Sequence, residues 1–249
     1  MKKIITTTLI TGSLFWAGQV YAGSPTSFVS GPGVTKGATT FEGRAGYSWD
    51  DGTNNDDRIQ VREHFDHGFT DWYALRFIVA QDKRKGDNLA HDDFTVENRI
   101  QLFNKADDGW DGGFRFSYTK GDTSPDNIGV KLIGQFNFAE NWQARHNISF
   151  SHHVGEDAAD GMTFSLRHQI TRDFTPQGRG LDSLRAGVEV FNDFGNLSTQ
   201  SGYSDQDHQI GPVMKGGFGN GYAFETGYRI GVSDASRDHL VKFGLSKTF

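Results

Sequence analysis

The stretch Phe94-Thr95-Val96-Glu97-Asn98-Arg99-Ile100-Gln101-Leu102 alternates apolar and polar side chains with a period of two. A β-strand sends successive side chains to opposite faces, whereas a helix repeats about every 3.6 residues. Phe94, Val96, Ile100 and Leu102 therefore share one face of a strand, and Thr95, Glu97, Arg99 and Gln101 share the other. Asn98 falls on the apolar face and marks a point where the phase could be wrong or bulged.

The same rule holds on both sides of this stretch. Upstream, Phe41, Ala45, Tyr47 and Trp49 oppose Glu42, Arg44 and Ser48, and Ile59, Val61 and Phe65 oppose Arg58, Gln60, Arg62 and His64. Tyr73, Leu75, Phe77 and Val79 oppose Ala74 and Arg76. Downstream, Phe114, Phe116 and Tyr118 oppose Arg115, and Val130, Leu132 and Phe136 oppose Lys131 and Gln135. Ala144, Ile148 and Phe150 oppose Arg145, Asn147 and Ser149, and Phe164, Leu166 and Ile170 oppose Arg167 and Gln169. Leu184, Ala186, Val188 and Val190 oppose Arg185 and Glu189. Ile210, Pro212 and Met214 oppose Gln209 and Lys215, the weakest case, because a proline inside a closed sheet needs a bulge or a strand end. Tyr222, Phe224, Tyr228 and Ile230 oppose Glu225 and Arg229, and Val241, Phe243, Leu245 and Phe249 oppose Lys242, Ser246 and Thr248.

These are twelve strands of about 9–11 residues, the even number and length of a bacterial transmembrane β-barrel. Composition agrees. Hydrophobic residues make up only 35% of the 249, yet there are 21 phenylalanines, as expected when half of each strand faces lipid and half faces a polar interior. A soluble β-sandwich also alternates, but it has no need of so aromatic a face opposite so charged a one. Links from odd to even strands are longer and acidic: 50–57, 82–92, 153–161, 192–207 and 232–238. Links from even to odd strands are short, with 172–183 the exception. This pattern sets long loops outside and both termini in the periplasm. Trp49, Trp72, Trp110, Trp142 and Tyr222 fall at strand ends, where aromatic girdles belong.

Lys2 and Lys3, the apolar run Ile4 to Trp16 and the Val20-Tyr21-Ala22 cleavage pattern make residues 1–22 a signal peptide cut after Ala22. Removal leaves 23 bases against 31 acids, a formal net charge of -8, which disfavours nucleic acid as a partner. There is no cysteine, so stability comes from sheet closure rather than disulfides. The organisation expected is a signal peptide 1–22, an N-terminal periplasmic segment 23–36 that serves as a tether or a small plug, and a β-barrel 37–249.

The charges on the polar face point to function. Arg44, Arg62, Arg76, Arg99, Arg115, Lys131, Arg145, Arg167, Arg185, Lys215, Arg229 and Lys242 all fall inward and are the candidate lumen-lining residues. The acids assigned inward are fewer: Glu42, Glu97, Glu189 and Glu225, with most others placed in loops. A filled barrel balances its charges into ion pairs, so the excess of bases implies water or anions inside.

The signal peptide, the twelve strands, the terminal Phe249 on one face with Leu245, Phe243 and Val241, and the arginine-rich interior resemble the small monomeric porins for acidic sugars. That group includes the oligogalacturonate-specific porins and the sialic-acid channel. The resemblance is architectural and spans the mature chain, and Lys247 departs from the usual C-terminal pattern. It implies a monomeric, passive, anion-preferring outer-membrane channel for small acidic solutes such as acidic oligosaccharides. Its partners would be outer-membrane lipid and lipopolysaccharide, with no cofactor and no resident metal. Two other readings remain. One is a non-conducting structural or adhesive barrel. The other is a lipid-modifying hydrolase, for which Ser149, Ser151, His146, His152 and His153 lie close in sequence without sharing a face. His152, His153, Glu156 and Asp157 form a weak metal candidate, and His146 and His168 are placed to pair on the outer face.

Overall fold

The computed structural model describes residues 23–51, 56–104, 106, 109–122, 124–155, 158–175, 180–199 and 201–249. The signal peptide expected at 1–22 lies outside the described residues. The chain forms twelve antiparallel strands: β1 (Thr39–Trp49), β2 (Arg58–Gly68), β3 (Tyr73–Lys83), β4 (Ala90–Phe103), β5 (Asp111–Gly121), β6 (Asp126–Phe138), β7 (Trp142–Val154), β8 (Met162–Asp173), β9 (Ser183–Asn196), β10 (Asp207–Gly219), β11 (Tyr222–Gly231) and β12 (His239–Thr248). Each pairs with its neighbours in sequence, and β1 pairs with β12 to close the barrel. Closure leaves no unpaired sheet edge, so every strand meets its backbone hydrogen bonds within the ring.

The molecule is arranged inside out relative to a soluble protein. Its most deeply buried large side chains include Arg229, Arg237, Lys242, Gln60 and Glu189. Its outer wall displays Phe41, Phe116, Leu132, Val188 and Phe243, each between 43% and 53% exposed. An apolar surface of that extent faces lipid. Aromatic residues gather at the rims. At the turn end, where β1 begins, Trp110 stacks on Phe103 at 4.6 Å and on Phe136 at 5.3 Å. At the loop end, Trp49 sits 5.4 Å from Tyr47 and 5.1 Å from His239. Lys247, on the outer face, lays its ammonium over the Tyr222 and Phe249 rings at 4.4 and 5.3 Å and donates to the Asn220 carbonyl, so its charge reaches the rim.

Some local expectations change. Pro212 needs no bulge: β10 pairs with β9 straight through it, and the ladder to β11 skips Gly211 and Pro212 without losing register. Asn98 does lie on the outer face without a shift of phase, as does Glu63 on β2, and Asn98 accepts a hydrogen bond from the Tyr73 hydroxyl at 2.9 Å. The contrast between long and short links is weaker than expected, because β4, β9 and β10 run further into the segments assigned to outer loops. Beyond the lipid belt the outward residues need not be apolar, so the alternation fades while the backbone goes on pairing.

Candidate functional site: the barrel interior

Strand parity turns the twelve candidate bases to the inside, where they meet different partners. On β1 to β5 every one of them finds a carboxylate. Arg44 pairs with Glu42 at 2.8 Å, Arg62 with Asp93 at 3.3 Å, Arg76 with Asp66 at 2.9 Å and Arg115 with Glu97 at 2.9 Å. Arg99 also reaches Asp66, and the neighbouring Arg58 pairs with Asp82 at 2.9 Å. Asp66 and Asp82 were expected in the links 66–71 and 82–92, and Asp93 was assigned to neither face. They stand instead on the ends of β2, β3 and β4 and face inward, so the interior is better balanced than four inward glutamates implied.

β6 to β10 differ. Arg185 pairs with Asp173 at 3.0 Å. Lys131, Arg145, Arg167 and Lys215 have no carboxylate in ion-pair contact among the described residues. Neutral groups hold three of them. Arg145 donates to Gln135 Oε1 at 2.6 Å, and Lys215 donates to Gln169 and Gln143 at 2.6 and 3.3 Å. Arg167 lies 5.2 Å from the centre of the Phe191 ring.

At the junction with β11 and β12 the buried Glu189 takes two cations, Lys242 at 2.7 Å and Arg229 at 3.7 Å, while Lys242 also reaches Glu225 at 2.9 Å. Two inward-facing phenylalanines complete this layer. Arg229 packs over Phe191 at 3.8 Å, and Phe28 carries Arg44 and Lys242 at 4.4 and 4.3 Å. Aromatic faces thus share with carboxylates the task of holding bases inside.

Phe28 belongs to the segment expected in the periplasm. The structure corrects that placement: residues 23–34 run through the lumen from the loop end to the turn end. Gly23 N donates to Asp207 on β10. Thr26 Oγ1 donates to Gln60 on β2 at 2.8 Å, and Ser30 exchanges hydrogen bonds with Asn147 on β7 at 2.8 and 3.0 Å. The Gly31 and Gly33 carbonyls accept from Arg115 and Arg99 at 3.0 and 2.7 Å, and Val34 N donates to Gln101 at 2.8 Å. Backbone groups of an extended chain must be satisfied, and the polar lumen wall satisfies them. The wall is also carved to receive the segment. A Cβ on Gly46 would lie 2.5 Å from the Pro25 carbonyl carbon, and one on Gly244 would lie 2.5 Å from the Phe28 ring.

Two cavities flank the segment toward the turn end. One, of about 300 Å³, is lined by Arg145, Arg185 and Lys215 together with Gln143, Glu42 and Glu225. The other, of about 290 Å³, is lined by Arg76 and Arg99 with Asp66 and Glu42. The first brings together Arg145 and Lys215, which have no carboxylate in ion-pair contact among the described residues, with Arg185.

The rival chemistry does not assemble among the described residues. Ser149 faces inward and His146 outward, and Ser151 bonds Thr163 at 2.6 Å. His146 and His168 do meet on the outer wall, Nδ1 to Nδ1 at 2.7 Å. No group of three or more metal-ligating side chains is present among the described residues, and Glu156 and Asp157 lie outside them.

Comparison with solved structures agrees with this architecture. KdgM porin, solved in complex with disordered oligogalacturonate, superposes with a TM-score of 0.55 at 13% identity, covering 85% of this chain and 99% of that one. NanC porin gives 0.55 at 11% identity over 83% of this chain and 98% of that one. The protein is an outer-membrane β-barrel. An outer membrane channel from Pseudomonas putida gives 0.61 at 11% identity, covering 90% and 99%. At such identities the likeness is one of fold, to oligogalacturonate- and sialic-acid-type porins among others. No protein-family model matches the sequence, and no curated protein sequence matches it significantly.

Proposed function

We propose that this barrel is a passive, anion-preferring channel for small acidic solutes, acidic oligosaccharides among them, with residues 23–36 as a plug that limits passage. The observation that carries this reading is the run of inward bases with no carboxylate in ion-pair contact among the described residues, Lys131, Arg145, Arg167 and Lys215, two of which open on the larger of the two cavities. Unpaired buried charge is costly, so such bases call for water or a mobile anion. The likeness in fold to porins supports it. A second reading, a non-conducting structural barrel, is favoured by the hydrogen bonds that tie the segment to the wall from Asp207 to Gln101.

Planar-bilayer conductance under a salt gradient tests both. The protein purified from outer membranes is compared with a variant lacking residues 24–36. The channel reading expects a rise in unit conductance on deletion and a reversal potential favouring anions in the open variant. Cation preference there removes the case for acidic solutes. A folded deletion variant that still does not conduct supports the structural barrel.

A further inference from the structure

The loop end of the lumen contains a pair of like charges. Asp193 on β9 and Asp207 on β10 stand directly opposite each other and face inward. Carboxylates in that relation repel. Arg167, Arg229 and Arg237 lie within electrostatic reach of Asp193. They are engaged elsewhere or stand further off: Arg229 leans on Glu189 at 3.7 Å and Arg167 on Phe191 at 5.2 Å. Among the described residues neither carboxylate has a lysine or arginine in ion-pair contact.

The neutral amide of Gln209 donates to both Asp207 oxygens at 2.7 and 2.9 Å, and the group that lies between the two carboxylates is the backbone of Gly23. Its nitrogen donates to Asp207 Oδ2 at 3.1 Å, and a Cβ built on it would lie 2.9 Å from Asp193 Oδ2. Both carboxylates therefore flank the nitrogen and Cα of one residue. That residue is the one that follows Val20-Tyr21-Ala22, where the cleavage pattern places the cut. Hydrolysis of the Ala22–Gly23 bond by the secretion peptidase consumes one water. Its oxygen goes to the Ala22 carboxylate, and Gly23 keeps the nitrogen as an α-ammonium, cationic at neutral pH. A neutral amide with one donor becomes a cation with three.

The geometry assigns Asp193 and Asp207 as the receptor for the α-ammonium of the processed chain, so that cleavage after Ala22 creates the cation that fastens the plug at the loop end. The side-chain-free Gly23 fits the narrow gap beside Asp193. The assignment holds whether or not the barrel conducts.

The test is acetylation of primary amines on protein purified from outer membranes, first folded and then unfolded in urea, with peptide mass spectrometry. The mature chain is expected to begin at Gly23. Its α-amine is expected to lose most of its labelling in the folded state, while the exposed Lys120 reacts in both states. The D193N/D207N variant is expected to regain α-amine labelling when folded. Should that double variant fail to fold, the D193N single variant, which keeps the hydrogen bond to Asp207, is expected to show a partial gain. A start elsewhere than Gly23, equal labelling of folded and unfolded wild type, or protection unchanged in a folded variant each overturns the assignment.

Discussion

The two sides of the lumen solve one problem in different ways. From β1 to β5, Arg44, Arg58, Arg62, Arg76, Arg99 and Arg115 each contact a carboxylate from their own strand or from one no more than two strands away. From β6 to β10, Arg145, Arg167 and Lys215 lean on glutamines, a phenylalanine ring and cavity space. Both sides obey the same outward constraint, because a base facing mid-membrane lipid costs about 2–4 kcal/mol. They differ in what the inward base is for. Paired arginines brace the wall, whereas under the proposed function the others remain available to a solute.

Substitutions can sharpen or break this contrast. The largest effect is expected for Glu189→Gln, which leaves the buried Lys242 and Arg229 short of a counter-charge. Removing one partner of a buried pair costs about 3–5 kcal/mol, read as a lower midpoint in urea unfolding followed by heat-modifiable gel migration. Arg115→Gln on the paired wall is expected to cost somewhat less, since Glu97 keeps a more distant Arg76 at 3.9 Å. Phe28→Ala removes a buried ring and the seat of two cations, and about 3 kcal/mol of destabilisation of the seated plug is expected, seen as raised conductance with the barrel still folded. Lys215→Gln is expected to leave unfolding within about 0.5 kcal/mol of wild type and to lower anion preference in the plug-deleted channel. If Lys215→Gln destabilises as much as Arg115→Gln, the distinction between the two walls fails.

The smallest effect belongs to the outer loops, where Lys85 bonds Asp56. That hydrogen bond holds the Asp56 carboxyl below its ordinary value and raises Lys85. The folded pKa of Asp56 is depressed, so the tie is present above the usual carboxylate range and is lost as pH falls through it. Proteolysis of the loops at 50–57 and 84–89 should therefore quicken on acidification, and Asp56→Asn should abolish that pH dependence.

The barrel was legible in the sequence because lipid enforces a strict rule on one face. Phe94, Val96, Ile100 and Leu102 announce a strand whatever their neighbours do. Asp66, Asp82, Asp93, Asp193 and Asp207 carried no such signal, since strand ends beyond the lipid belt have no apolar partner to set parity. The charge excess was overstated for that reason. Phe191 was missed because an inward aromatic breaks the alternation it sits in. The plug was harder still, because an extended polar segment has no period. Its one cue is Phe28, an isolated ring among glycine, serine, threonine and proline that open water would not favour.

The seam between β1 and β12 has a consequence for biogenesis. Thr39 and Phe249 exchange backbone hydrogen bonds at 3.3 and 2.9 Å, so the ring is completed by its first and last strands. Until β12 has been made and delivered, two raw edges stay open and the polar interior has no enclosure. The segment ahead of β1 is attached at this very seam, so it lies at the doorway when the two edges meet. Closure of the ring is then the step that encloses the segment.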